Sequence, residues 1–294
     1  MKPLADLPLI SRLSASVIRI LGCNPGMMTL QGTNTYLVGT GTRRILIDSG
    51  EAETANKYTK VLKQVLEDEK ATVEHLVVTH WHGDHLGGVN SVQQLLKSLN
   101  GTGTASTVWK LPRAPDDQPS LSEAEKKTSW ENLRDEQIFE VEGAKIRVQY
   151  TPGHTTDHVS LLMEDEQILF SGDCILGERT TVFEDLYTYL GSLRKILAMK
   201  PKVIYPGHGS VIEDPEPSIK FYIEHRLKRE NDILAVLSEK GENSTLSEID
   251  IVKNLYTDIS ESMWEAAAHN VNCHLVKLLK EGRVKGEKGK WQSI

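Results

Sequence analysis

The stretch Thr79-His80-Trp81-His82-Gly83-Asp84-His85 follows a mainly apolar run, residues 73–78, that is typical of a buried strand. Its three histidines and its aspartate offer nitrogen and oxygen ligands that can converge on zinc. Residues i and i+2 of an extended segment point the same way, so His80 and His82 can bind one ion. Asp84 and His85, placed after the chain has turned, can reach a second ion. The stretch therefore predicts a metal site at the end of a strand.

Three later apolar runs also end in a glycine followed by one possible ligand. The pairs are Gly153-His154, Gly172-Asp173 and Gly207-His208. Glycine lets the backbone bend sharply and leaves room beside it for an ion and its water. One such pair would be weak support, but three of them after a histidine cluster favour a site that holds two metal ions.

The segment before the cluster predicts a layered α/β domain. Residues 44–47 form a short β-rich run, residues 51–68 have helical spacing, and the strand that leads into the cluster follows. In a domain with this strand, helix, strand order, ligand-binding residues are expected to lie at the ends of the strands. Asp48, directly after the first of these strands, is either a simple turn residue or a carboxylate that orients a metal-binding histidine.

The rest of the chain divides into two parts, residues 1–215 and residues 216–294. The first part continues with a helix at 89–99, a strand at 108–111 in an otherwise loop-like segment 101–132, a hairpin at 137–150 and a helix at 183–199. At the boundary, Asp214 is expected to cap a long helix that begins the second part, and further along Thr245 with Glu248 suggests a capping box. A third helix, residues 261–281, precedes a basic hairpin. This order resembles a small winged-helix module, which either binds nucleic acid or packs against its own enzyme.

Composition narrows the choice of function. The net charge of −7 argues against a protein that coats nucleic acid with a broad basic surface, although bound divalent metals would reverse the local field at a nuclease site. The chain has no apolar run near 18 residues, so no membrane span is expected. Three widely spaced cysteines suggest a reduced intracellular protein rather than a disulfide framework.

The order of the candidate ligands resembles the metallo-β-lactamase superfamily. Its H-x-H-x-D-H motif and its later histidine, aspartate and histidine correspond to His80, His82, Asp84, His85, His154, Asp173 and His208. The resemblance implies a four-layer αββα sandwich with a small C-terminal winged-helix-like domain, and two Zn²⁺ ions per chain. It also implies that His80, His82 and His154 hold one ion, that Asp84, His85 and His208 hold the other, and that Asp173 bridges them.

Within the glyoxalase II-like subgroup of this superfamily, the chain resembles a group of endoribonucleases. That resemblance implies cleavage of single-stranded RNA in the mitochondrial matrix. Gly83 departs from it, because a larger basic residue is expected there. Two alternatives remain: a glyoxalase II-type thioester hydrolase, which shares the ligands, and a non-catalytic RNA-binding protein with a vestigial metal site. The sequence does not determine whether the protein is a homodimer.

A mechanism can be written for the nuclease. Two zinc ions roughly 3.5 to 4 Å apart can share a hydroxide that attacks phosphorus and leaves 3′-hydroxyl and 5′-phosphate ends. Asp84 is expected to orient this hydroxide as a catalytic residue. His158 donates a proton, anchors an aspartate that supports a metal ligand, or is a structural histidine. Thr33 and Asn34 either contact the substrate or form an Asx turn.

Overall fold

Two β-sheets form the centre of the structure, a computed structural model that describes residues 4–99, 106–113, 121–240, 244–257 and 259–294. The larger sheet has seven strands in chain order: β1 (Ile10–Arg12), β2 (Val17–Leu21), β3 (Asn34–Val38), β4 (Arg43–Ile47), β5 (Thr72–Val78), β6 (Thr107–Lys110) and β7 (Glu131–Asn132). The smaller sheet has the order β12-β11-β10-β9-β8, with strands β8 (Ile138–Val141), β9 (Ala144–Tyr150), β10 (Val159–Met163), β11 (Ile168–Gly172) and β12 (Val203–Pro206).

The sheets pack face to face because the central strands carry apolar side chains on both faces, one of which lies against the other sheet. Tyr36 and Val38 on β3 point into the core between the sheets, together with Ile45 and Ile47 on β4. Leu37 points to the opposite face, where the larger sheet is covered by helices. These helices are α1 (Ala55–Asp68) and α3 (Val89–Leu99). The smaller sheet is covered by α5 (Leu186–Met199) and by the first part of α6 (Pro215–Glu239). The predicted four-layer αββα sandwich is confirmed.

Parallel strand pairs bring the candidate ligands to one edge. β4 and β5 run parallel in the larger sheet, and β11 and β12 run parallel in the smaller sheet. Residues that follow these four strands therefore emerge on the same side. β5 leads into a short helix, α2 (Gly83–Leu86), so Asp84 and His85 lie on a helical turn directly after the strand.

The C-terminal part has its own apolar core. It consists of the end of α6, then α7 (Glu248–Leu255), a 3₁₀ turn (Glu261–Met263), α8 (Trp264–Lys280) and the hairpin β13 (Val284–Glu287) and β14 (Lys290–Ser293). Ile233, Val271 and Trp291 are buried in this core. The predicted winged-helix-like arrangement is confirmed, whereas the division at residue 215 stays a prediction.

Several local predictions were wrong. The capping box of α7 is formed by Ser247 and Asp250, because the helix begins at Glu248, and not by Thr245 with Glu248. Asp214 precedes α6 without a side-chain capping hydrogen bond. The segment 101–132 contains a helix, α4 (Glu123–Lys127), and strand β7, while residues 101–105 and 114–120 lie outside the described part. Among the described residues, no helix has both the length and the hydropathy needed to cross a bilayer.

Candidate metal centre

The first group of ligand atoms comes from His80, His82 and His154. Nε2 of His80 lies 2.9 Å from Nδ1 of His82, and Nε2 of His154 lies 3.3 Å and 3.1 Å from these two atoms. Four tetrahedral ligands at a zinc–nitrogen distance of about 2.0–2.1 Å lie about 3.3 Å from one another. The three nitrogens are therefore spaced as ligands of one zinc ion would be.

The second group comes from Asp84, His85 and His208. Nε2 of His208 lies 3.0 Å from Oδ2 of Asp84 and 3.3 Å from Nε2 of His85. Asp84 is the most exposed of the three, with 21% of its side chain accessible. Its position at the rim leaves the carboxylate open to a water molecule or a substrate.

Asp173 lies between the two groups. Its Oδ1 is 3.4 Å from Nε2 of His85, and its Oδ2 is 3.4 Å from Nε2 of His208 and 3.7 Å from Nε2 of His154. Its Oδ1 is also buried without a hydrogen-bond partner among the described residues. A buried carboxylate oxygen without such a partner, facing imidazole nitrogens, fits a position between two cations. The structure thus brings all the predicted ligands together in two groups, with Asp173 in the first group and its carboxylate oxygens 3.4 Å from His85 and His208 of the second.

Burial and charge prepare these side chains for a divalent metal. Burial and the neighbouring histidines lower the pKa of His80 well below its usual value, and burial lowers the pKa of His82 to about 4. Neutral imidazoles carry the lone pair that a metal needs. Burial alone would raise the pKa of Asp173, but the nearby His208 and His85 hold it well below its ordinary value. The first group therefore combines neutral nitrogens with an ionised carboxylate. In the second group, Asp84 and Asp173 outweigh the effect of burial and raise the pKa of His85 well above its ordinary value, and Asp173 raises the pKa of His208 to about 9, so these two histidines must release a proton when a metal binds.

Asp48 orients His85. Its Oδ2 lies 2.7 Å from Nδ1 of His85 and accepts a hydrogen bond from the Thr79 hydroxyl, while its Oδ1 accepts the Thr79 backbone N–H at 2.8 Å. With its Nδ1 proton donated to a carboxylate, His85 presents the lone pair of Nε2 to the cluster. Of the two interpretations open from sequence, this geometry favours the orienting carboxylate, although Asp48 also has a left-handed φ of 60°.

The geometry of His158 favours a positioning role over the predicted proton donor. Its side chain is fully buried, its Nε2 accepts the backbone N–H of Asp173 at 3.1 Å, and its Nδ1 lies 3.1 Å from the Thr151 carbonyl. Both ring nitrogens are therefore occupied within the protein. Burial also lowers the pKa of His158 to about 3, so the ring is neutral. Gly172 is required here, because a Cβ at this position would lie 2.6 Å from Nε2 of His158.

The predicted substrate contacts at Thr33 and Asn34 are not supported, because both side chains are buried. The Asn34 amide donates hydrogen bonds to the carbonyls of Pro206 and Gly209, and so holds the loop that carries His208. Sequence reasoning missed Asn24, whose side chain accepts the backbone N–H of Thr33 and donates to its hydroxyl. The pattern gave no signal for Asn24, since its partner lies nine residues further along the chain.

Arg226 on α6 also reaches the centre, through the backbone. Its guanidinium donates a 2.8 Å hydrogen bond to the carbonyl of Thr181 and lies over the ring of Phe183. The next carbonyl, that of Val182, accepts the Nδ1 hydrogen of His154 at 2.8 Å. Arg226 therefore holds the backbone that fixes the orientation of His154.

A cavity of about 300 Å³ opens onto the cluster, and we call it the apolar cavity. His82, Asp84, His154, Asp173 and His208 form its floor. Its walls are mainly apolar and include Met27, Met28, Leu30, Leu176 and Val182. Met27, Met28 and Val182 are strongly exposed, so the cavity has an apolar rim against which a base or an acyl chain can pack.

Comparison with protein families gives the assignment. A model of the metallo-beta-lactamase superfamily matches residues 28–208, which carry every candidate ligand. The chain belongs to the metallo-β-lactamase superfamily. A second model, of a beta-lactamase associated winged helix domain, matches residues 247–291. Members of this superfamily are metal-dependent hydrolases, and the histidine and aspartate cluster indicates a divalent metal at this site.

Relatives of the chain carry different names. A protein of Drosophila melanogaster named beta-lactamase-like protein 2 homolog is 51% identical over 97% of this chain and 95% of its own length. An atrochrysone carboxyl ACP thioesterase of Aspergillus fumigatus is 39% identical over 80% of this chain and 69% of its own length. A crystal structure of a beta-lactamase domain protein from Burkholderia ambifaria has a TM-score of 0.77 at 18% identity, over 97% of this chain and 93% of the other, and shows the fold alone.

Proposed function

We propose that the chain is an endoribonuclease that uses two zinc ions to hydrolyse phosphodiester bonds of single-stranded RNA, leaving 3′-hydroxyl and 5′-phosphate ends. The resemblance of its sequence to endoribonucleases of the superfamily supports this proposal. The observation that carries it is the position of Asp173 between two groups of ligand atoms. Paired divalent metals suit phosphodiester hydrolysis, because they stabilise both the attacking and the leaving oxygen.

The donor set fits zinc in type and spacing, as described above. His80, His82 and His154 would hold one ion, Asp84, His85 and His208 the other, and Asp173 both. Bound zinc supplies a hydroxide at neutral pH and neutralises charge that develops on the phosphate.

The protein's own groups determine how the reaction is oriented. Asp84, at the rim, is placed to hold the attacking water and to accept its proton. His158 fixes Asp173 from below through the backbone N–H of Asp173. The apolar rim formed by Met27, Met28 and Val182 offers a surface against which a nucleobase can pack.

Thioester hydrolysis is the second candidate function. Two observations favour it: the apolar walls of the cavity, which suit an acyl chain, and the relative named as an acyl carrier protein thioesterase. A hydrolytic water held over the same ligands could attack a thioester carbonyl. The two candidates therefore differ in the substrate and in the groups that bind it, while the ligand set is shared.

A parallel assay separates these candidates. Zinc-loaded protein is incubated with end-labelled single-stranded RNA, with duplex RNA and with S-lactoylglutathione. Asp84→Ala and His208→Ala remove one ligand each, and Asp165→Ala is the matched control, since Asp165 is exposed. The nature of the RNA ends is read by their reactivity with polynucleotide kinase and with RNA ligase.

The endoribonuclease predicts cuts in single-stranded RNA with 3′-hydroxyl ends, lost in both ligand variants and kept in Asp165→Ala. Rapid thioester hydrolysis with intact RNA would make the chain a thioester hydrolase. Cyclic-phosphate ends would show that the RNA's own 2′-hydroxyl is the nucleophile, and would contradict hydrolysis by water.

A further inference from the structure

A second cavity, of about 290 Å³, also borders the ligands His82 and His154, and we call it the α8 cavity. Besides these two histidines it is lined by Val182, Phe183 and Glu184 from the catalytic part. Ala266, His269 and Asn270 of helix α8 form the remaining wall. The winged-helix-like part therefore reaches the immediate surroundings of the metal centre.

The two cavities adjoin each other at the first group of ligands. His82, His154 and Val182 line both of them. The two cavities differ in chemistry: methionine and leucine side chains line the apolar cavity, whereas His269 and Asn270 bring an imidazole and a carboxamide to the α8 cavity. A substrate with groups on both sides of the scissile bond can occupy both cavities, which suits a polymer.

Helix α8 is fixed against the catalytic part by several contacts. Lys280 forms a 2.7 Å ion pair with Asp185, the residue that caps α5. The buried ring of His274 packs edge-on against Phe183, and the Cys273 thiol lies 3.9 Å from the carbonyl of Glu184. These contacts fix the position of α8, and with it His269 and Asn270, beside the ligands.

We propose that His269 and Asn270 are substrate-binding residues that contact the ribose and base of a nucleotide beside the scissile phosphate. This inference rests on the proposed RNA cleavage. Imidazole and carboxamide groups can both donate and accept hydrogen bonds, which matches ribose hydroxyls and base edges. The described residues that line this cavity include no lysine or arginine to pair with a phosphate, which favours these neutral groups. The C-terminal part thus completes the substrate site.

The test compares a polymer with a substrate too small to reach α8. Zinc-loaded wild type and the double variant His269→Ala with Asn270→Ala are assayed on single-stranded RNA and on bis(p-nitrophenyl) phosphate. Asn272→Ala is the matched control, because Asn272 lies on the same helix, two residues beyond Asn270, and lines neither cavity. Bound zinc is measured for every variant.

We expect the ratio of kcat/KM for RNA to kcat/KM for the small phosphodiester to fall about 10-fold in the double variant, as for two lost hydrogen bonds. The fall should lie mainly in KM, and Asn272→Ala should keep the wild-type ratio. An unchanged ratio, or an equal loss on both substrates, would overturn the α8 contact while leaving RNA cleavage established. Intact RNA with the wild-type enzyme would overturn the proposed function and the contact with it.

Discussion

Replacing Asp48 with asparagine removes the charge that orients His85, and we expect it to weaken zinc binding without changing the backbone. Asparagine tolerates the left-handed φ of 60° at this position. Its carbonyl can still accept the Thr79 backbone N–H. Its amide, however, is a donor and cannot accept the Nδ1 hydrogen of His85, so His85 is driven to the tautomer whose Nε2 carries the proton. That tautomer offers no lone pair to the metal.

The size of the effect follows from the bond that is lost. The distance from Nδ1 of His85 to Oδ2 of Asp48 is 2.7 Å, and both side chains are buried. A hydrogen bond to a charged group contributes about 1.5–3 kcal/mol. Since 1.4 kcal/mol is about a factor of ten in an equilibrium constant, the zinc affinity of the second group should fall about 10- to 100-fold, the range typical of such partners.

Zinc affinity is measured by competition with a chromophoric chelator, on wild type, Asp48→Asn and the surface control Asp165→Asn. One of the two bound ions should become weaker in Asp48→Asn, while Asp165→Asn matches wild type. If Asp48→Asn bound both ions as tightly as the control, the proposed role of Asp48 in fixing the His85 tautomer would be wrong.

Three further changes test other parts of the structure. Arg226→Met loosens the backbone that holds His154, so the zinc affinity of the first group should fall about 10-fold in chelator competition; wild-type affinity would contradict this role. Lys110→Met leaves the Asp157 carboxylate buried without the Lys110 ammonium that lies 2.7 Å away, so the free energy of unfolding measured in urea should fall by about 3–5 kcal/mol. Adding Asp157→Asn should restore part of this loss. If the effects of the two substitutions were simply additive, the coupling between these residues would be refuted. Gly83→Arg places a Cβ where, apart from its chain neighbours and its own helix, no described atom lies within 4 Å, so Tm should be unchanged and KM for RNA should fall at low salt. An unchanged KM would place the RNA elsewhere.

Local patterns predicted the parts of the fold that depend on short stretches of sequence. The strand before His80 and the hairpin of β8 and β9 were recognised from residues that lie next to one another. Gly207 was expected to leave room beside a ligand, and a Cβ there would lie 2.3 Å from Oδ1 of Asp173. These features depend on the local backbone conformation, and this conformation can be predicted from patterns of neighbouring residues.

Features that depend on distant residues were missed. The apolar strand β10, residues 159–163, has no alternation, and only its pairing with β9 and β11 identifies it as a strand. In β2, Arg19 interrupts an apolar run but is buried, with a hydrogen bond to Ser11. The link from Arg226 to His154 joins residues far apart in the chain through two backbone carbonyls. Residue spacing along the chain cannot predict such a contact.

The most direct test of the two-metal account is a zinc titration of the metal-free protein. Bound zinc and the rate of single-stranded RNA cleavage are measured on the same samples as zinc is added. If both ions take part in the reaction, cleavage will reach its maximum only when two zinc ions are bound per chain, and EDTA will abolish cleavage. Full activity with one bound ion, or activity that persists in EDTA, would contradict a reaction that depends on both groups of ligands.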